Sequence, residues 1–317
     1  MNTDIHLAVI GTGRVGRMTL LALAHEPWIS RLTLVDTETG LANAVGEEIR
    51  HSLASTRVAM DVEAYEEDSA VEGADMVLIT AGQPRTPEME TRAELIGANA
   101  EIIKQIAEET APNNPGARYI VVTNPVDAMA TYFKRLTGED WVVSTGTNLE
   151  SQRFRAEIAK QLSVPITDVS GFVGGEHGQN AVFLWSTVDI DGLPLEKYLS
   201  QSGKSLDREH LKDRVKEISR QIITYSGGTR HGPATSFRDI LRSIAIDDNR
   251  YLALGVPREI EGIPESVMVS VPQMVGKNPG PTLEKFLTDK EIEGLNGAGA
   301  HIYETYKDSV EIMKSRS

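Results

Sequence analysis

Six residues near the start of the chain, Gly11-Thr12-Gly13-Arg14-Val15-Gly16, restrict its fold more than any other feature. They join an apolar run at residues 5–10 to a helical pattern at 14–24 that stops near Pro27. Gly-x-Gly-x-x-Gly alone matches by chance in many chains, and its plainest meaning is a tight turn. Between a strand and a helix it does more: backbone N–H groups can approach a pyrophosphate, whose charge the helix N-terminus favours. Asp36 follows Gly16 by 20 residues and ends the next β-rich run, 32–35. A dinucleotide fold needs a carboxylate there for the ribose hydroxyls. A carboxylate also repels a 2′-phosphate, Arg31 comes too early, and Thr37 follows directly, so the expected cofactor is NAD rather than NADP.

The first half alternates short apolar runs with helical patterns, the signature of a parallel sheet with crossover helices. Leu41, Ala44, Val45, Ile49 and Leu53 share one helical face, as do Leu95, Ile96, Ala98, Ile102, Ile103 and Ile106. Runs at 76–79 and 119–122 are short and continuous enough for fully covered strands. The run at 142–144 would close a six-stranded sheet. After about residue 148 the texture changes. A helix at 151–162 precedes strands near 169–173 and 182–190, with a turn at Asp191-Gly192. A charged helix at 207–225 is broken by Gly227-Gly228, and another helix follows Pro233. Strands at 251–256 and 267–271, a turn at Asn278-Pro279-Gly280 and a helix capped by Thr288 with Glu291 complete the pattern. The expected class is α/β: a Rossmann-type doubly wound parallel sheet over residues 1–147, then a mixed α+β substrate domain over 148–317.

Composition narrows the function. The 317 residues favour two domains over one, and 46 acidic against 32 basic residues give a net charge of −14. Nucleic acids and anionic membranes call for a basic footprint, so neither is an expected partner. Thiol catalysis, disulfides and Cys-ligated metals are excluded because the chain has no cysteine. His6, His25, His51, His210 and His301 are scattered without ligand spacing, and no metal site is expected. No basic-plus-apolar leader and no apolar run of roughly 18 residues is visible. The expectation is a soluble, cytoplasmic protein.

Four further segments carry chemistry. Thr80-Ala81-Gly82-Gln83-Pro84-Arg85 leaves the fourth strand, and the loop runs on to Arg92. Two arginines there are either solvated surface charges or partners for an anionic substrate, since guanidinium pairs bidentately with carboxylates. Thr123-Asn124-Pro125-Val126-Asp127 ends the fifth strand, as a plain helix entry or as part of a site. Glu150 and Arg153 are three apart, which puts them on one side of a helix. Gly175-Glu176-His177-Gly178 places a histidine between glycines.

In that order these elements resemble the lactate/malate dehydrogenase family along nearly the whole chain, and its malate branch in particular. The resemblance implies that His177 is the acid/base: its imidazolium gives a proton to a 2-oxo acid's carbonyl oxygen while the nicotinamide delivers hydride to carbon. It implies that Glu150 orients His177, that Arg92 polarises the carbonyl and that Arg153 clamps the adjacent carboxylate. Arg85 would read the second carboxylate of a dicarboxylic acid, Asn124 would touch substrate oxygen, and Thr229 would lie near the substrate's variable end. NAD would be held by Gly11, Gly13, Arg14, Val15, Gly16, Asp36, Thr80, Ala81, Gly82, Asn99, Val122 and Asn124. Arg155 and His231 fall outside the catalytic pattern. The chain departs from the family in three places. Glu150 replaces an Asp, Gln179 replaces an acidic residue, and Arg85 and Arg92 are seven apart, one more than usual, with Glu88 and Glu90 between.

The resemblance therefore implies malate + NAD⁺ ⇌ oxaloacetate + NADH, the tricarboxylic acid cycle reaction, in a homotetramer or a dimer. Two alternatives stand beside it. One is a dehydrogenase of another, lactate-like 2-hydroxy acid; the other is an NAD-binding paralogue impaired by Glu150.

Overall fold

The computed structural model describes residues 4–84 and 92–316; the side chain of Arg92, and all of Arg85, lie outside the described residues. β1 (Ile5–Ile10) passes through the glycine loop into α1 (Arg14–Leu23), and β2 (Ile29–Val35) leads to α2 (Leu41–Thr56). Next come β3 (Asp61–Tyr65), β4 (Met76–Ile79), α3 (Arg92–Thr110), β5 (Arg118–Val121), α4 (Val126–Thr137) and β6 (Val142–Ser144). These six strands lie parallel in the order β3-β2-β1-β4-β5-β6, the doubly wound arrangement of dinucleotide-binding folds.

Both faces of this sheet are covered, which is why its strands read as unbroken apolar runs. Leu7 and Val9 of β1, with Met76 and Leu78 of β4, pack into the core shared with α1 and α2. The alternate residues Ala8, Ile10, Val77 and Ile79 face α3 and α4. β3 is the strand that the six-stranded expectation counts without locating it. Its residues Asp61-Val62-Glu63-Ala64-Tyr65 form an edge strand in which only Val62 is buried, so no apolar run marks it.

The second half contains α5 (Asn148–Leu162), β7 (Val169–Gly175), β8 (Ala181–Ile190), β9 (Leu193–Pro194), α6 (Leu195–Ser202) and α7 (Arg208–Ser226). It ends with α8 (His231–Ile246), β10 (Arg250–Arg258), β11 (Val267–Val275), β12 (Pro279–Thr282) and α9 (Asp289–Arg316). The sheet does not stop at β6. Ser144 pairs with Gly255, and the sheet continues through β10, β11, β7, β8 and β9, with β12 on β11. Phe154, Ile158, Val173 and Leu211 centre a separate core that seats α5 and α7 against β7 and β8.

Several boundaries depart from the sequence expectation; β2 begins at Ile29 and β11 runs on to Val275. α8 begins at His231 rather than after Pro233, whose missing N–H costs nothing in a first turn. α5 begins at Asn148, which puts Glu150 in its first turn. The expected turn at Asn278-Pro279-Gly280 is displaced: the bend ends at Asn278, and Pro279 opens the edge strand β12, a position that tolerates proline. The cap on α9 is as expected, with the Thr288 N–H donating to Glu291 Oε2 at 2.8 Å. Among the described residues no helix is long and apolar enough to cross a membrane.

Candidate active site

The carboxyl ends of β1, β4 and β5 meet in a crevice, the place where open α/β sheets receive ligands. Gly11 has φ +95°, and a Cβ on it would lie 2.3 Å from the Ala81 nitrogen. A Cβ on Gly16 would lie 2.2 Å from the Gly11 carbonyl oxygen. Packing therefore demands these two glycines. At Gly13 nothing lies within 4 Å of the corresponding point, so protein packing gives no reason for a glycine there. Asp36 Oδ2 accepts the Thr12 N–H at 2.6 Å and the Thr12 hydroxyl at 3.0 Å. This fixes the carboxylate beside the loop, where it suits the ribose hydroxyls of NAD.

The rest of the crevice is braced by side chains. Thr80 Oγ1 donates to the Gly11 carbonyl at 2.6 Å, and Thr123 Oγ1 to the Ala81 carbonyl at 2.6 Å. Gly82 packs so closely on Thr123 that a Cβ would stand 2.8 Å from its methyl carbon. Asn99 is buried with its amide engaged by backbone: Oδ1 accepts from Gln83 N at 2.7 Å, and Nδ2 donates to the Asn124 carbonyl at 2.7 Å. It shapes the wall through those contacts. Arg14 reaches sideways, donating to the Gly227 carbonyl at 3.3 Å and tying α1 to the end of α7.

His177 sits in the bend between β7 and β8, between Gly175 (φ +84°) and Gly178 (φ +109°), two left-handed positions that favour glycine. Its Nδ1 lies 3.1 Å from Glu150 Oε1 and 3.2 Å from the Gly146 carbonyl. Both partners only accept, so Nδ1 is assigned the hydrogen, and Nε2 is the nitrogen left for exchange with a substrate. The Glu150 charge raises the imidazole to about 9, against burial, which lowers it. Burial alone would raise the Glu150 carboxyl, but the His177 charge and hydrogen bond and the Arg153 guanidinium outweigh it and hold the carboxyl below its usual range. The extra methylene of Glu150, relative to the family's Asp, is absorbed within α5 without loss of this contact. Arg153 stands one turn along with Nη1 3.9 Å from Glu150 Oε1.

Sequence reasoning passed over the main anchor of this bend. Asp127 does not cap α4; it is buried and accepts the His177 backbone N–H at 2.8 Å and the Ser144 hydroxyl at 2.5 Å. Burial raises its carboxyl to about 6 despite those two hydrogen bonds. The only sequence signal was its place in the Asn124–Asp127 segment, because its partner lies 50 residues away.

Val15, Val122, Asn124, Arg153, His177 and Thr229 line one cavity of about 770 Å³, together with Glu150. Of the residues selected for the cofactor, Val15, Val122 and Asn124 thus share a space with Arg153, His177 and Thr229, whereas Gly11, Gly13, Arg14, Gly16, Asp36, Thr80, Ala81, Gly82 and Asn99 do not line it. Lys216 and Arg220 of α7 also line it, although the sequence marked that helix only as charged. Arg92 begins α3, as expected.

Residues 5–141 match the family model of the lactate/malate dehydrogenase NAD-binding domain, and residues 147–312 match that of the lactate/malate dehydrogenase alpha/beta C-terminal domain. The chain belongs to the lactate/malate dehydrogenase family. It is an NAD-dependent 2-hydroxy-acid dehydrogenase. It is 37 % identical over 309 residues to the malate dehydrogenase of Sulfurisphaera tokodaii, covering 98 % of this chain and 97 % of that one. Identity to L-lactate dehydrogenase 1 of Clostridium acetobutylicum is 30 %, covering 98 % of this chain and 99 % of the other. Among solved structures it resembles the ligand-bound minor L-lactate dehydrogenase of Enterococcus mundtii, with TM-score 0.88, 26 % identity and coverage of 96 % and 98 %.

Proposed function

We propose that the protein is a malate dehydrogenase that interconverts malate and oxaloacetate, with residues 1–147 carrying NAD and 148–317 most of the substrate site. The observation that carries the mechanism is the Glu150–His177 contact at 3.1 Å inside the cavity that also holds Arg153. When bound, NAD supplies two-electron exchange with the carbon that bears the reacting oxygen. In oxidation His177 Nε2 takes the hydroxyl proton of malate, and in reduction it returns a proton to the carbonyl oxygen of oxaloacetate. Glu150 fixes the tautomer and stabilises the imidazolium as it forms. Arg153 holds the carboxylate next to the reacting carbon, and Asn124 contacts its oxygen. Arg92 polarises the carbonyl. Arg85 reads the far carboxylate, and Thr229 borders that end.

The dicarboxylate reading draws support from malate dehydrogenases among the relatives at 36–37 % identity. A second reading, a lactate-type substrate, is favoured by the L-lactate dehydrogenases at 30–31 %. NADH oxidation by the purified protein with oxaloacetate, pyruvate and a branched 2-oxo acid in parallel decides between them. Preference for oxaloacetate is expected; preference for a monocarboxylate would leave a dehydrogenase and overturn the substrate. No turnover with NADH still bound would favour an impaired paralogue. The same reading carries a homotetramer working in the tricarboxylic acid cycle in the cytoplasm, and light scattering distinguishes tetramer from dimer.

A further inference from the structure

Besides His210, α7 has five basic side chains: Arg208, Lys212, Arg214, Lys216 and Arg220. Three are paired. Arg208 meets Glu196, Lys212 meets Glu209 at 2.8 Å, and Arg214 meets Glu217 at 2.5 Å. Among the described residues Lys216 and Arg220 form no ion pair, and these are the two that line the cavity of Arg153 and His177. They lie four residues apart, one helical turn, so their head groups leave the same side of α7. Among the described residues the one carboxylate lining the cavity is Glu150, which is already committed to His177. A surface helix in a chain of net charge −14 has acidic partners close at hand. Lys216 and Arg220 are both solvent-exposed and border a concave space with apolar walls such as Val215 and Phe237, where two unpaired cations will focus a positive potential.

We propose that Lys216 and Arg220 form a second anion subsite of the cavity, which takes the distal carboxylate of a dicarboxylic substrate whose first carboxylate is held by Arg153. The inference rests on the dicarboxylate reading above and adds to it a specificity device on α7, separate from Arg85. Arg153 engages the carboxylate common to all 2-oxo acids, so it cannot tell one from another. The α7 pair engages only what extends past the reacting carbon. A monocarboxylate such as pyruvate has nothing to offer it, whereas a dicarboxylate gains a charge-assisted contact.

The test compares the unaltered protein with the double variant Lys216→Gln/Arg220→Gln and with the conservative Lys216→Arg/Arg220→Lys. Neutralising both charges is expected to lower kcat/KM for oxaloacetate by about tenfold or more, the scale of one charge-assisted hydrogen bond. The value for pyruvate should hold within about threefold, and the charge-conserving variant should keep most of the preference. An unchanged ratio of the two substrates, or an equal fall in both, overturns the proposal. Calorimetry on the NADH complex with tartronate, a non-oxo dicarboxylate, and oxamate, a monocarboxylate, separates this inference from the functional reading. If no 2-oxo acid is turned over, that reading fails, and selective loss of tartronate binding in the neutral variant still upholds the subsite. Equal binding of tartronate to both proteins, or none to the unaltered one, removes it.

Discussion

The carboxylate of Asp127 accepts the backbone N–H of His177 at 2.8 Å, joining the first turn of α4 to the bend between β7 and β8. Its other oxygen accepts from Ser144 at the end of β6. His177 is thus held twice by carboxylates: Glu150 aims its ring, and Asp127 fixes its main chain. Asp127→Ala removes the partner of two donors, each costing about 1–3 kcal/mol when left unmade. Urea titration should show a loss of about 2–6 kcal/mol on that basis. A displaced ring should also cost about 100-fold in kcat/KM. NADH affinity should be kept, since Asp127 lies away from the glycine loop; if activity were retained, Asp127 would have no part in positioning His177.

Glu150→Gln should be the more damaging change to the pH profile. It removes the charge that holds His177 at about 9, and the midpoint should fall by more than one unit. Glu150→Asp keeps the charge and withdraws it by one methylene. Turnover should drop by about an order of magnitude or more if the site is built around glutamate, as the 3.1 Å contact indicates. A large gain in turnover would instead mark the native residue as an impairment.

The raised His177 value sets the direction of every pH effect. Reduction needs the imidazolium, so kcat/KM for oxaloacetate should be level below about 9 and fall above it. Oxidation needs the neutral ring and should climb towards the same midpoint. The folded value lies above the ordinary 6.5, so the stability His177 contributes is present below pH 6.5 and is lost as pH rises through about 9, while the part that rests on the lowered Glu150 carboxyl is lost in acid. Thermal midpoints across that window in the native protein and in Glu150→Gln would reveal the slope and its disappearance.

Two alanine substitutions in the glycine loop should part ways. Gly16→Ala forces a Cβ to 2.2 Å from a backbone oxygen and should impair folding itself. Gly13→Ala meets nothing within 4 Å and should leave thermal stability within about 1 kcal/mol. Its NADH affinity, read by fluorescence titration, should nonetheless fall about tenfold, because the methyl group stands where the pyrophosphate approaches. Undiminished affinity would place the phosphates elsewhere.

Arg85→Gln should shift preference from oxaloacetate towards pyruvate by about tenfold or more, the worth of one charge-assisted contact. Parallel kcat/KM measurements check it, and an unchanged preference would withdraw that role from Arg85.

Much of this was legible in the sequence because its signals are local. The order β1, glycine loop, α1, Asp36 is a pattern of periodicity and spacing within a few dozen residues, and the covered strands announce themselves as apolar runs. Glu150 and Arg153 were visible as neighbours because a helix relates residues three apart. β3 was counted but could not be located, because an edge strand with one buried residue carries no apolar period. Asp127 was hidden for a different reason. Its partners are a backbone amide and a serine brought together only by tertiary packing, which leaves no trace in composition. The place of Lys216 and Arg220 on the cavity wall was equally invisible, because a charged helix face reads as solvated until something concave is found beside it.

The pairing of Ser144 with Gly255 carries the sheet unbroken from the nucleotide side to the substrate side. Mechanically it makes a stiff spine: the two halves cannot part like jaws without breaking strand pairing beside the ring of His177. His177 follows directly on β7 of that sheet and Glu150 meets it from α5, while α7 and α8 hang from the sheet as side panels. Refitting such a protein to a different acid would be a matter of exchanging a panel, with the chassis and its proton-handling pair left in place.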